Sequence, residues 1–184
     1  MTRLTAINPE TATGKVKELF TAIEGKLGVV PNMMRTMAHS PALLEGYLNL
    51  SGALSHGKLG AKTGELIALA VGESNTCDYC VAAHSYIGAN LAGLKTDSIT
   101  AARGGFAADD KTNAILQFAK TLVNKKGLAD ETDVNHIKAA GLTEGEIGEV
   151  IGHVGLNILT NYFNNVALTE VDFPKVQTLE TTTV

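Results

Sequence analysis

This sequence has no tryptophan, only four prolines and two cysteines, and aromatic residues make up just 5% of its 184 positions. So few rings leave little on which nucleic-acid bases could stack. Positive charge is scattered and the net charge is −4, so there is no basic cluster of the kind that holds a phosphate backbone. No nucleic-acid partner is expected. Long apolar runs are missing too: the most lipid-like stretch, Leu66 to Val71, is about a third of the ~20 residues that a membrane helix needs. The first residues, Met1 to Pro9, show no apolar stretch after Arg3, so no secretory signal is read there and a cytoplasmic, membrane-free protein is expected. Alternation of apolar and polar residues is also absent over any strand-like length, which argues against a sheet.

What is present is helical. Apolar residues reach 45% and charged residues 18%, enough to build a real core in one domain spanning 1–184. Val16, Leu19, Phe20, Ile23 and Leu27 form one stripe, closed by Gly28. Ser40-Pro41 reads as a helix start, with a capping hydroxyl followed by a proline in the first turn. A helix from about Ala61 to Gly72 breaks at Glu73-Ser74-Asn75-Thr76, and the next runs from near Cys77 to Gly93; together they make a core motif over 61–93. Short helices are expected over Ser98–Arg103 and Glu131–Ala140, with a longer one over Lys111–Lys126 before a left-handed Gly127. Thr143-x-x-Glu146 is a capping box opening a final long helix, whose apolar face is read as Ile147, Val150, Ile151, Val154 and Ile158. Residues 175–184 are polar and Thr-rich and read as a loose tail. The fold class is all-α.

The chemistry concentrates in one segment. On a helix, Cys80 lies one step past Cys77 and His84 one step past Cys80, so all three share a face. Cysteines three apart on a helix have Cα separations within reach of a disulfide. In a reducing compartment such a pair suits catalysis or metal binding better than a structural staple. If Asn75-Thr76 caps the helix, Cys77 falls in its first turn, where free N–H groups and the dipole favour a thiolate. A thiolate can attack a peroxide oxygen, and the sulfenic acid formed can condense with the neighbouring thiol. His84 could exchange protons near neutral pH, and Glu65 on the preceding helix could orient it or relay its proton.

Other readings of these residues exist. The cysteines could be small buried apolar side chains. Zinc could be held by Cys77, Cys80, His84 and Glu65, but structural zinc sites usually draw on two separated pairs, and there is no second pair. No metal and no cofactor are expected. A c-type haem needs His directly after the second cysteine, where Val81 stands. His39, His56 and His136 read as surface residues, whereas His153 lies in the apolar Val150–Gly155 stretch and is either a core or a pocket residue. Asn161, Asn164 and Asn165 could line a pocket or simply belong to a fraying last turn.

Glu65 followed by Cys77-x-x-Cys80-x-x-x-His84 resembles the core of the alkylhydroperoxidase D and carboxymuconolactone decarboxylase superfamily. Gly28-Val29-Val30-Pro31-Asn32-Met33, Asn161-Tyr162-Phe163-Asn164-Asn165 and Val171-Asp172-Phe173-Pro174 are similar to its peroxidase-related branch, so the likeness covers roughly 4–175. The resemblance implies an all-α bundle of the alkylhydroperoxidase D type, with a helical hairpin holding the site and a homo-oligomer, often a trimer or hexamer. It also implies a thiol-dependent peroxidase: Cys80 attacks a hydroperoxide substrate, Cys77 closes the disulfide, and Glu65 and His84 relay the proton. A thiol or dithiol reductant would restore the pair. The dipole argument, in contrast, points to Cys77 as the activated thiol. Tyr79 stands where the branch proper has a second histidine, and with His153 it is the candidate substrate contact. The decarboxylase branch lacks the cysteine pair, which disfavours a lyase. The non-enzymatic alternative is a helical oligomer whose Cys/His cluster binds metal or senses redox state.

Overall fold

The computed structural model describes residues 2–177 and 179. Most of the expected 175–184 tail therefore lies outside the described residues. After a short 3-10 turn at Pro9–Thr11 come helices α1 (Gly14–Leu27), α2 (Asn32–Met37), α3 (Pro41–Ser55), α4 (Gly60–Ser74) and α5 (Asp78–Asn90). They are followed by α6 (Thr96–Gly104), α7 (Asp110–Asn124), α8 (Glu131–Ala139) and α9 (Glu144–Ala167). Among the described residues there is no strand, and no helix is long and apolar enough to cross a membrane.

The helix starts follow from local chemistry. Ser40 Oγ accepts from the Leu43 N–H, Asp109 from that of Thr112, and Asp130 and Asp133 form a reciprocal capping box on α8. The Thr143/Glu146 box forms in full: the Thr143 hydroxyl accepts from the Glu146 N–H and the Glu146 carboxylate from the Thr143 N–H. Gly28 closes α1 at φ 75°, a left-handed conformation that glycine adopts without steric cost.

Two clusters of buried side chains make up the core. One joins α4, α6, α7, α8 and α9 through Ile67, Leu69, Leu116, Ile137 and Val150, all essentially inaccessible. The other gathers α1, α2 and the start of α5 around Phe20, Met37, Leu44 and the two cysteines. Each fully buried Leu or Ile contributes roughly 1.5–3 kcal/mol of hydrophobic burial. Glycine-rich α9 departs from the sequence reading at one place: Ile151 is half-exposed, so it is not part of the buried face.

The two clusters meet at the α4–α5 hairpin. Glu65 on α4 contacts His84 on α5, while Gly72 lies beside Cys80 and Val81, so the helices run antiparallel. That pairing brings a carboxylate two turns upstream of the break level with a histidine two turns downstream of it.

Candidate active site

The break between α4 and α5 is short and strained. Asn75 closes α4, Thr76 takes a positive φ of 49°, and the Cys77 N–H reaches back to the Gly72 carbonyl at 2.9 Å. A left-handed β-branched residue costs on the order of 1–3 kcal/mol, so surrounding contacts must hold it. Two asparagines of α9 do so: Asn161 Oδ1 accepts from Asn75 Nδ2 at 2.9 Å, and Asn165 Nδ2 donates to the Asn75 carbonyl at 3.0 Å. These asparagines are therefore neither frayed nor mere lining.

Cys77 is not in the first turn of α5, as the sequence suggests, but is its N-cap, because Asn75 and Thr76 are used up in ending α4. Its Sγ accepts from the Cys80 N–H at 3.3 Å. Cys80 then occupies the first turn, so the helix N-terminus acts on both sulfurs. The cysteines are disulfide-bonded with a Cα–Cα distance of 5.3 Å. Both are buried, and Cys80 Sγ also accepts from Asn164 Nδ2 at 3.4 Å.

His84 Nδ1 and Glu65 Oε2 are 2.8 Å apart, each side chain about a fifth exposed. A carboxylate can only accept, so in this pair Nδ1 carries the proton and Nε2 is left free to give or take one. Glu73, by contrast, pairs with the buried guanidinium of Arg103 at 2.7 Å and takes no part in this pair.

Cys80 and His84 line a cavity of about 100 Å³ whose other walls are mainly apolar, among them Met33, Met34, Ile87 and Phe173. The soft flanking motifs build these walls. The Asn32 N–H donates to Asp172 Oδ2 at 2.7 Å, and Asn32 Nδ2 donates to the Glu170 carbonyl at 3.1 Å, docking the 171–174 segment onto α2. Tyr79 lines this cavity, accepts from the Met33 N–H at 3.1 Å and packs edge-on to Phe173 at 5.7 Å. Burial pushes its phenol well above the usual tyrosine range, so the ring stays neutral.

His153 lines a different cavity. It faces a space of about 110 Å³ shared with Glu65, His84, Ser51 and Asn157. Cys77 borders a third, of about 340 Å³, with Glu73, Arg103 and Lys175. Among the described residues, no three of His, Cys, Asp and Glu converge as a metal-ligand set. The residue that sequence reasoning under-read is Asn164, whose only signal was a polar side chain three to four residues from other asparagines on an otherwise apolar helix.

The fold is thus an all-helical bundle of the alkylhydroperoxidase D type, with a disulfide-bonded cysteine pair at a helix start and a Glu–His pair beside it. Residues 41–123 match the model of the carboxymuconolactone decarboxylase family.

Solved structures share the fold. An uncharacterized peroxidase-related protein with an alkylhydroperoxidase AhpD core, from Ralstonia eutropha JMP134, is 22% identical with a TM-score of 0.81, over 93% of this chain and 92% of that one. An uncharacterized peroxidase-related protein from Silicibacter sp. TM1040 is 21% identical with a TM-score of 0.78, over 90% and 91%. A complex of the debrominase Bmp8 with 2,3,4-tribromopyrrole is 18% identical with a TM-score of 0.74, over 94% and 92%. At these identities the likeness concerns the fold. No curated protein matches the chain by sequence.

Proposed function

We propose that the protein is a thiol-dependent peroxidase. The observation that carries this reading is that one cavity is lined by both Cys80 and His84, the latter bonded to Glu65, while Cys77 is already joined to Cys80. In the reduced protein the Cys80 thiolate attacks the distal oxygen of a hydroperoxide and the O–O bond breaks. His84 Nε2–H protonates the departing alkoxide to give an alcohol. Cys77 then attacks the Cys80 sulfenic acid, water leaves, and the disulfide forms. Two equivalents of a thiol, or one dithiol, restore the pair by exchange. The apolar walls suit an organic hydroperoxide better than hydrogen peroxide, which gains little from an apolar lining.

Peroxide-consumption assays on three chains test this. The unmodified chain should turn over with alkyl hydroperoxide and thiol. Cys77→Ser should consume one equivalent and stop at a trappable sulfenic acid, and Cys80→Ser should consume none. Exchange of the last two results would swap the roles of the cysteines. Absence of turnover by the unmodified chain would remove the reading.

Aromatic walls (Tyr79, Tyr86 and Phe173) favour a second reading, in which a small halogenated aromatic ring enters the same cavity. Two electrons from the dithiol and one proton would then replace a carbon–halogen bond by C–H. Halide release from a brominated pyrrole under reducing conditions separates the two.

The assembly is proposed to be a homo-oligomer. Ile151, Leu159, Tyr162 and Val166 form one exposed apolar stripe along α9, which a second copy would cover.

A further inference from the structure

His84 stands between two cavities, of which only the first is lined by a cysteine, while its partner Glu65 lines the second. Tyr47, His84 and Thr160 line both, forming the partition. Behind the partition is the space of about 110 Å³ bordered by Glu65, Ser51, Ser55, Asn157 and His153. Ser55 and Ala61, which also border it, are exposed, so it opens outward.

His153 is the unusual member. The residue is 7% exposed, and its Nε2 is buried with no partner among the described residues. Its ring lies against Gly64, where a Cβ would come within 2.9 Å of Cε1, so α4 is trimmed to backbone where the imidazole lies beside Glu65. An unpartnered buried ring nitrogen costs on the order of 1–3 kcal/mol, so the packing holds Nε2 there against a penalty, whereas Nδ1 is not among the buried unpartnered atoms. The cavity is far larger than the roughly 10–15 Å³ that one water requires, and Ser51, Glu65, Asn157 and Thr160 supply polar groups among its apolar walls.

The charged and titratable groups around this ring are few. On its own helix lies Glu149, whose carboxylate accepts from the Lys58 and Leu59 N–H groups at 3.1 and 3.0 Å. Glu65 faces it from α4 and His84 from α5. From α3 comes Tyr47, pushed up to about 12 by burial and by Glu65, so that it stays neutral. Burial pushes the His153 imidazole down, opposed by Glu149 and Glu65. It therefore borders the cavity as a neutral ring rather than as a fixed charge.

We propose that this second cavity is a water-filled proton chamber serving the Glu65–His84 pair, with His153 ordering and exchanging protons with its water. The inference rests on the peroxidase reading for its chemistry. Each turnover takes one proton from His84 to the alkoxide. Reduction of the disulfide by two thiols then releases one proton as Cys80 returns to thiolate, and the chamber brings an equivalent proton back to His84. No electrons move in that step. His153 acts through Glu65 and water and touches no reacting atom, so it is a positioning residue.

Two measurements test it on the full chain. In steady state, His153→Gln should lower kcat roughly tenfold, less than the 10²–10⁴-fold of a direct acid–base group, with hydroperoxide KM unchanged. Added imidazole should restore His153→Ala. A raised KM at unchanged kcat would make His153 a substrate contact instead. Equal losses in Gln and Ala variants without imidazole rescue would make it merely structural, and both outcomes overturn the chamber. The second measurement needs no turnover: solvent exchange of the His84 ring N–H, followed by NMR, should be slower in His153→Leu than in the unmodified chain. Equal exchange overturns the chamber even if peroxidase activity is present. Slowed exchange in a protein without peroxide turnover would keep the chamber and remove the peroxidase.

Discussion

Asn164 donates a hydrogen bond from Nδ2 to Cys80 Sγ at 3.4 Å, tying the last turn of α9 to the first turn of α5. The contact is buried, and it gives the proposed attacking sulfur a donor that a thiolate would use better than a thiol.

Asn164→Leu should therefore raise the Cys80 thiol pKa in the reduced protein. One lost hydrogen bond to a charged acceptor, about 1.5–3 kcal/mol, corresponds to roughly one to two pKa units. The pH dependence of alkylation at Cys80 reads this directly; an unchanged profile would mean that the contact does not act on the thiolate.

The two acidic residues preceding the cysteines should behave differently. Glu65→Gln removes the carboxylate that fixes the His84 tautomer and should cost roughly 10²–10⁴ in peroxidase rate. Glu73→Gln should leave the rate of the folded protein nearly unchanged but lower its stability, because the Arg103 guanidinium is 7% exposed and loses its charged partner. Equal rate effects from both substitutions would undo the relay assignment; rate assays paired with thermal denaturation separate them.

Stability should decline in two steps as pH falls. Burial holds the His153 pKa below its unfolded value, so below about pH 6.5 the unfolded chain binds the extra proton and the folded state is disfavoured. Glu146, held at about 2 by Lys111 and the Thr143 cap, and Glu149, lowered by the Lys58 and Leu59 N–H groups, contribute stability that is present above the unfolded carboxylate range. That contribution is lost as pH falls through roughly 4.5 toward 2. Denaturant midpoints between pH 7.5 and 3 should show both steps, and His153→Leu should flatten only the upper one.

Charge placed on the exposed stripe of α9 should break the proposed assembly. Val166→Asp, at a position 64% exposed, is expected to reduce the mass seen by light scattering without altering helix content. A chain of 19.3 kDa that is already monomeric at micromolar concentration would remove the prediction.

How much of this was legible in advance depends on range. The caps at Ser40 and Thr143, and the stop at Gly28, are decided by neighbours within four residues, so their spacing alone announces them, whereas the caps at Asp109 and Asp130 emerged only in the structure. The shared face of Cys80 and His84 is equally local, a consequence of helical pitch. Even the Glu65–His84 contact follows once two helices of known length fold back across a short break.

Tertiary structure decided what distant segments do to one another. It made Cys77 the cap rather than a first-turn residue, because Asn161 and Asn165 of α9 hold the Asn75–Thr76 turn in a conformation that Thr76 alone disfavours. The same packing left Ile151 half-exposed on an apolar helix, placed His153 beside Glu65 rather than in the cavity of Cys80, and gave Arg103 to Glu73. Each depends on which face of one helix meets another many residues away, and helical periodicity specifies a face without naming its partner.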